Sequence, residues 1–160
     1  MKKKLLVCVM ALAAVFAVTG CKKGNNGGET TTTQPAEKKI ACSYNDPEDG
    51  STLKVTVTYS NDKIKKAIWS DTEKFKDDKS AKKDYEKNAE EIKTVNKNKG
   101  VSASCSYSGT LSTKTVTFTV ADLDEEGKKL YEEMFNDAKD LSYEDFKADM
   151  AKTSFKCTES

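Results

Sequence analysis

The chain has 160 residues, enough for one domain after processing. Its 27 basic residues are all Lys, set against 26 acidic ones, and it has no His. Without His there is no neutral-pH imidazole chemistry and no His metal ligand; without Arg there is no bidentate fork for phosphates or base edges.

Residues 40–160 hold 20 Lys against 24 Asp and Glu. A nucleic-acid binder needs a basic face, so no nucleic-acid partner is expected.

Lys2, Lys3 and Lys4 form a positive start, and Leu5 to Val18 an apolar run too short for a comfortable transmembrane helix. Val18-Thr19-Gly20-Cys21 then resembles a bacterial lipobox. Residues 1–20 are therefore expected to be a lipoprotein signal peptide, cleaved between Gly20 and Cys21. Cys21 would carry diacylglycerol, whose two acyl chains suffice for stable membrane anchoring. The expected location is the extracytoplasmic face of the cell membrane. Residues 22–39, KKGNNGGETTTTQPAEKK, contain no large apolar side chain and read as a flexible linker. Such a linker spans roughly 25 Å on average.

Residues 40–160 read as a single α+β domain. Ile40 to Tyr44 is a short strand, and Asn45-Asp46-Pro47-Glu48-Asp49-Gly50 is dense turn chemistry. Leu53, Val55, Val57 and Tyr59 alternate with polar residues as a half-buried strand does. Asn61-Asp62 turns the chain, and Ile64, Lys66 and Ile68 return as its partner. Asp77 to Lys97 reads as a helix with a narrow apolar stripe of Tyr85, Ala89, Ile92 and Val95, stopped by Gly100.

Val101, Ala103, Cys105 and Tyr107 mark a further strand, and Val116, Phe118 and Val120 its hairpin partner. A second helix is expected with Asp122 as N-cap, presenting Leu123, Gly127, Leu130, Tyr131, Met134 and Phe135. A third starts at Ser142, with Asp145 three residues on and Leu141 and Phe146 placed as a staple. Phe155-Lys156-Cys157 adds a short terminal strand. The expectation is a small antiparallel sheet of about four to six strands packed by two or three helices. Cys42-Ser-Tyr44 and Cys105-Ser-Tyr107, each before a Thr-rich strand, hint at a duplicated unit.

Cys8 leaves with the signal peptide and Cys21 is acylated, so Cys42, Cys105 and Cys157 remain and allow three single bridges. Cys42–Cys157 is favoured, because it ties the first strand to the chain's end and closes a long loop. Cys105 as a nucleophile would need an activating base, and none lies near it in sequence.

The S-x-x-K matches at Ser51–Lys54, Ser60–Lys63 and Ser80–Lys83 are chance matches in a Ser- and Lys-rich chain. Asn45–Gly50 resembles half a calcium loop, but Pro47 takes a ligand position and no Glu closes it. The acidic run Asp122–Glu126 suits a helix N-terminus. No metal or cofactor is expected. Tyr44, Tyr59 and Trp69 are candidates to line a ligand surface. Trp69 leads, beside Ser70-Asp71 at a strand end.

Thr52-Leu-Lys-Val-Thr-Val-Thr-Tyr59, Asn61-Asp-Lys-Ile-Lys65, the Lys-rich helix, Gly100-Val101, Tyr107, Val120-Ala-Asp122 and the ending near Phe155-Lys156 together resemble the YehR-like small lipoproteins of bacteria. The resemblance covers roughly residues 40–160. It implies a lipobox, an α+β domain, no established activity and no assigned catalytic residues. The functional expectation is a membrane-anchored, non-catalytic binding or interaction module for an envelope ligand or protein. The alternatives are an envelope-polymer hydrolase using Asp and Glu and a purely structural envelope protein.

Overall fold

Strict alternation of β-branched and polar residues builds one antiparallel sheet. The computed structural model describes residues 36–135 and 140–160. The expected signal peptide, the expected Gly20–Cys21 cleavage point and the expected linker as far as residue 35 lie outside the described residues. The strands are β1 (Lys38–Asn45), β2 (Thr52–Ser60), β3 (Lys63–Lys74), β4 (Val101–Ser108), β5 (Leu111–Thr119) and β6 (Lys156–Glu159). Their order across the sheet is β4-β5-β3-β2-β1-β6, and every neighbouring pair is antiparallel. The helices are α1 (Asp78–Val95), α2 (Glu125–Phe135) and α3 (Tyr143–Ala151). This is the α+β class expected from the sequence. None of the described helices is long and apolar enough to cross a membrane.

All three helices cover the same face of the sheet. That face carries Ile40, Val57, Val116 and Phe118, each at most 1% exposed. On α2, Tyr131 and Phe135 pack edge-on against Phe118, with ring centroids 5.4 and 5.9 Å away. On α3, Tyr143 meets Tyr59 edge-to-face at 5.4 Å. The N-cap of α3 is Ser142, whose Oγ accepts from Asp145 N–H and donates to its carboxylate. Asp62, in the left-handed Asn61-Asp62 hairpin turn, accepts the Tyr143 N–H at 2.8 Å and fixes α3 to the sheet.

Four local expectations are corrected. The first strand begins earlier than expected, because Lys38 and Lys39 already pair with Tyr59 and Thr58 of β2. In β3, Lys65 is the extra residue of a β-bulge, since Tyr59 pairs with Ile64 but Thr58 with Lys66. The bulge switches parity: Ile64 faces the helices, but Ala67 and Trp69 then take that side and Ile68 turns outward. Third, α1 ends at Val95 with Asn96 as its C-cap, so Gly100 does not stop the helix. Asn96 instead bonds both backbone groups of Ala103 at the start of the next hairpin. Fourth, the cap of α2 is Asp124, not Asp122. Val120–Asp122 forms a 3-10 turn, and the Asp124 carboxylate accepts from Gly127 N–H and Lys99 N–H. Those two backbone donors hold the Asp124 carboxyl below the usual carboxylate range.

Cys42 and Cys157 stand directly opposite each other on β1 and β6 and form a disulfide. Cys105 is buried outside it, with Sγ 3.9 Å from the Tyr85 carbonyl. Asn45–Gly50 is a plain turn, in which Asp46 accepts from Glu48 N–H and Gly50 N–H. The two Cys-Ser-Tyr segments both begin hairpins, but the first unit carries a third strand, β3, before its helix.

Candidate functional site

The bulge at Lys65 has a chemical consequence farther along β3. Once parity is switched, residues 67, 69, 71 and 73 all face the helix layer. The first two are Ala67 and Trp69; the next two are Asp71 and Glu73. Two carboxylates thus continue the core-facing row of a strand, with Cα atoms about 7 Å apart by strand geometry. Beside them on β5 lie Ser112, the register partner of Glu73, and Lys114, the partner of Asp71.

The opposing wall is one side of α1. Asp84, Lys87, Asn88 and Glu91 fall at i, i+3, i+4 and i+7, so they form a single polar row. This row flanks the apolar stripe of Tyr85, Ala89, Ile92 and Val95. Asn88 donates to the Asp84 carboxylate at 2.8 Å, and Lys114 pairs with Glu91 at 2.7 Å. Between the row and β3–β5 is a polar compartment of about 200 Å³. Ser112 lines it, is 2% exposed, and its Oγ has no hydrogen-bond partner among the described residues. A buried hydroxyl left unpaired costs about 1–3 kcal/mol, so this one is a donor and acceptor available to a ligand.

Burial pushes the Asp71 carboxyl above its ordinary range; the Asp84 charge adds to this and Lys114 opposes it. Glu73 is raised for the same first reason, with Asp84 and Asp71 contributing and Lys87 opposing. A raised folded-state value means the folded protein holds protons that the unfolded chain has released. Stability therefore falls as pH rises through that window and is recovered below the ordinary carboxylate range. The compartment thus carries uncompensated negative charge near neutrality. Four carboxylates line it against two ammonium groups, and one of those is already paired with Glu91.

A second compartment of about 230 Å³ adjoins the first and shares Asp71, Glu91 and Lys114 with it. Its remaining wall is apolar: Trp69, Val95, Val116, Leu130 and Met134. Together the two make a groove with a carboxylate end and an apolar end. Among the described residues no group of three or more His, Cys, Asp or Glu is placed to hold a metal ion.

The three aromatic candidates do not converge. Trp69 is half-buried, lies edge-on to Phe135 at 6.0 Å, and lines the apolar compartment. Tyr59 is corrected: it is 1% exposed, packed between Tyr143 and Phe146, and presents no ligand surface. Its apolar neighbours all lie on the helix side of β2, which draws the ring inward. Tyr44 is half-buried against Phe155, at a ring distance of 5.8 Å, near the opposite end of the sheet. The residues sequence reasoning missed are Asp71, Glu73, Asp84 and Ser112. The available signal was the alternation Trp69-x-Asp71-x-Glu73, a strand row that passes from apolar to acidic without changing face.

No protein-family model and no curated protein sequence matches the chain. Two solved structures resemble it. A protein from Streptococcus pneumoniae TIGR4, determined by NMR, is 14% identical with a TM-score of 0.57; the match covers 89% of this chain and 98% of that one. The Escherichia coli YehR protein, also determined by NMR, is 22% identical with a TM-score of 0.54; the match covers 78% of this chain and 91% of that one. Identities this low establish a shared fold.

Proposed function

From a YehR-like fold, with a carboxylate-ended groove between α1 and the sheet, we propose a lipid-anchored extracytoplasmic binding module. In this reading Cys21 carries the diacylglycerol, the linker tethers the domain to the membrane, and the groove holds a small organic amine non-catalytically. The lipobox Val18–Cys21 supports the anchor. The observation that carries the binding role is the buried Ser112 hydroxyl without a partner, facing the same compartment as the half-buried Asp71 carboxyl, which burial raises. An ammonium group answers both features. It donates to Ser112 and Asp71, and it neutralises charge that the folded protein otherwise holds at a cost. The Trp69 compartment takes the apolar arm of the same molecule.

The anchor is tested by labelling cells with radioactive palmitate. The wild type takes up label and Cys21→Ser does not; label in both variants, or in neither, rejects it.

Binding is tested by calorimetry of residues 22–160 with 2-phenylethylamine and its neutral counterpart 2-phenylethanol. At pH 7 the amine binds about tenfold or more tightly than the alcohol. That preference fades as pH falls into the carboxylate range, and Asp71→Asn abolishes it. Asp71→Asn also melts higher than the wild type at pH 7, with the gap closing toward pH 4, because a desolvated charge has been removed. Equal affinity for amine and alcohol rejects the reading.

A hydrolase is the second reading. Asp71 and Glu73 are two carboxyl-bearing residues on one face of one groove, the pairing of acid and base that glycoside hydrolysis uses. Release of reducing ends from envelope glycan by the wild type, but not by Asp71→Asn, would make that reading correct.

A further inference from the structure

The face of the sheet away from the helices has a composition unlike the rest of the molecule. The only strand carboxylates among the described residues are Asp71, Glu73 and Glu159, and the register puts all three on the helix side. The outward residues are mostly Ser and Thr. Across the β3–β5 pair their hydroxyls bond each other, Ser70 to Thr115 at 2.9 Å and Thr72 to Thr113 at 3.0 Å.

Lys39, Lys54, Lys66 and Lys156 stand among these hydroxyls, all exposed. Ser43 of β1 pairs with Lys54 on one side and Lys156 on the other, while Thr58 of β2 pairs with both Lys39 and Lys66. The four therefore form two pairs on β6-β1-β2-β3, about 13 Å apart along the strands. None has an ion-pair partner among the described residues, whereas Lys82 and Lys93 of α1, Lys129 of α2 and Lys147 of α3 each pair with a carboxylate. A domain that is acidic as a whole thus gathers unpaired ammonium groups on one open sheet face.

We propose that this face docks on the anionic headgroups of a phospholipid bilayer. Charge complementarity supplies the attraction, and the Ser and Thr hydroxyls supply donors to phosphate oxygens without apolar insertion. The place where the linker joins the domain favours a membrane over a distant polymer, and this step rests on the anchor proposed above. The chain enters the sheet at Lys38, one residue before Lys39 of the patch. A random coil of sixteen residues, the length from 22 to 37, would span about 20–24 Å on average. A lipid-bearing Cys21 therefore keeps the patch within a few Debye lengths of the bilayer, where weak attraction per Lys suffices.

The test uses residues 22–160 without lipid, since the described residues carry a complete core. The protein is sedimented with vesicles of phosphatidylcholine containing about one-third phosphatidylglycerol, and with phosphatidylcholine alone. Binding is expected only to the anionic vesicles, and is lost in high salt. Lys54→Gln, Lys66→Gln and Lys156→Gln together weaken it about a hundredfold. The same three positions changed to Arg retain it, and Lys82→Gln, Lys93→Gln and Lys129→Gln together change it less than about twofold. Equal binding to neutral vesicles, no binding to either, or equal losses in the two Gln triples overturns the proposal. Binding to soluble polyglycerol phosphate but not to anionic vesicles also overturns it, and makes an anionic polymer the occupant. Because no anchor is present, vesicle binding in this assay stands even if palmitate labelling fails.

Discussion

Reduction of the Cys42–Cys157 disulfide is expected to destabilise the domain by about 5 kcal/mol. The bridge spans 115 residues of chain, and cross-linking over such a distance removes much of the unfolded chain's freedom. Besides its pairing with β1, β6 is held by Glu159, whose carboxylate accepts from the Tyr143 hydroxyl and pairs with Lys147. It is a four-residue strand, exposed throughout, and among the described residues its only sheet neighbour is β1. Thermal melts of the oxidised protein, the reduced protein and the Cys42→Ser, Cys157→Ser double variant should separate by about 15 °C. The reduced and double-variant curves should coincide. Amide exchange in residues 156–159 should rise more than in β2 or β3. A shift below about 5 °C would mean that β6 pairing alone holds the chain's end.

Gly100→Ala is expected to be nearly as damaging, at about 3 kcal/mol or more, although it adds one methyl group. Gly100 has φ +73°, where an L side chain costs about 1–2 kcal/mol. A Cβ there would also lie 2.7 Å from the Asp122 carbonyl carbon and the Leu123 nitrogen, and 2.9 Å from the Thr119 carbonyl oxygen. All three are backbone atoms, so no side chain can swing aside. The Thr119 N–H bond to the Gly100 carbonyl, which ties β5's end to β4's entry, would be disturbed too. Gly109→Ala is the control. It also has positive φ, at +58°, but nothing lies within 4 Å of its added Cβ. Denaturant melts should place Gly109→Ala about 1 kcal/mol below the wild type and Gly100→Ala well below that. Equal losses would show that backbone conformation, not close packing, sets the cost.

Gly100 also illustrates how local reading misplaces a correct observation. Its left-handed conformation is legible from Asn98-Lys99-Gly100, but the reason for it is not. The requirement comes from the 3-10 turn at Val120–Asp122, about twenty residues away in sequence. Asp122 and Asp124 show the same limit. Both are plausible caps by composition, and the choice falls to Asp124 because Lys99 N–H lies within reach of its carboxylate. Ser142 needed no distant partner, since its cap is made with Asp145 in the same turn.

The fold class, the hairpins around Asn61-Asp62 and Ser108-Gly109, the faces of α1 and α2, and the favoured pairing of Cys42 with Cys157 are all legible in the residue pattern. These follow from period-two and period-3.6 patterns and from turn chemistry, which act within a few residues, and from the entropy of a long loop. Tertiary structure alone decided the groove. One extra residue at Lys65 reverses which side of β3 faces the helices, and no local pattern reports a bulge. That reversal puts Trp69, Asp71 and Glu73 under α1 and leaves Ile68 outside. The polar row of α1 and the buried Ser112 acquire meaning only when β5 is laid beside β3. Burial is a property of the packed layers, and burial is what raises the Asp71 carboxyl and strands the Ser112 hydroxyl.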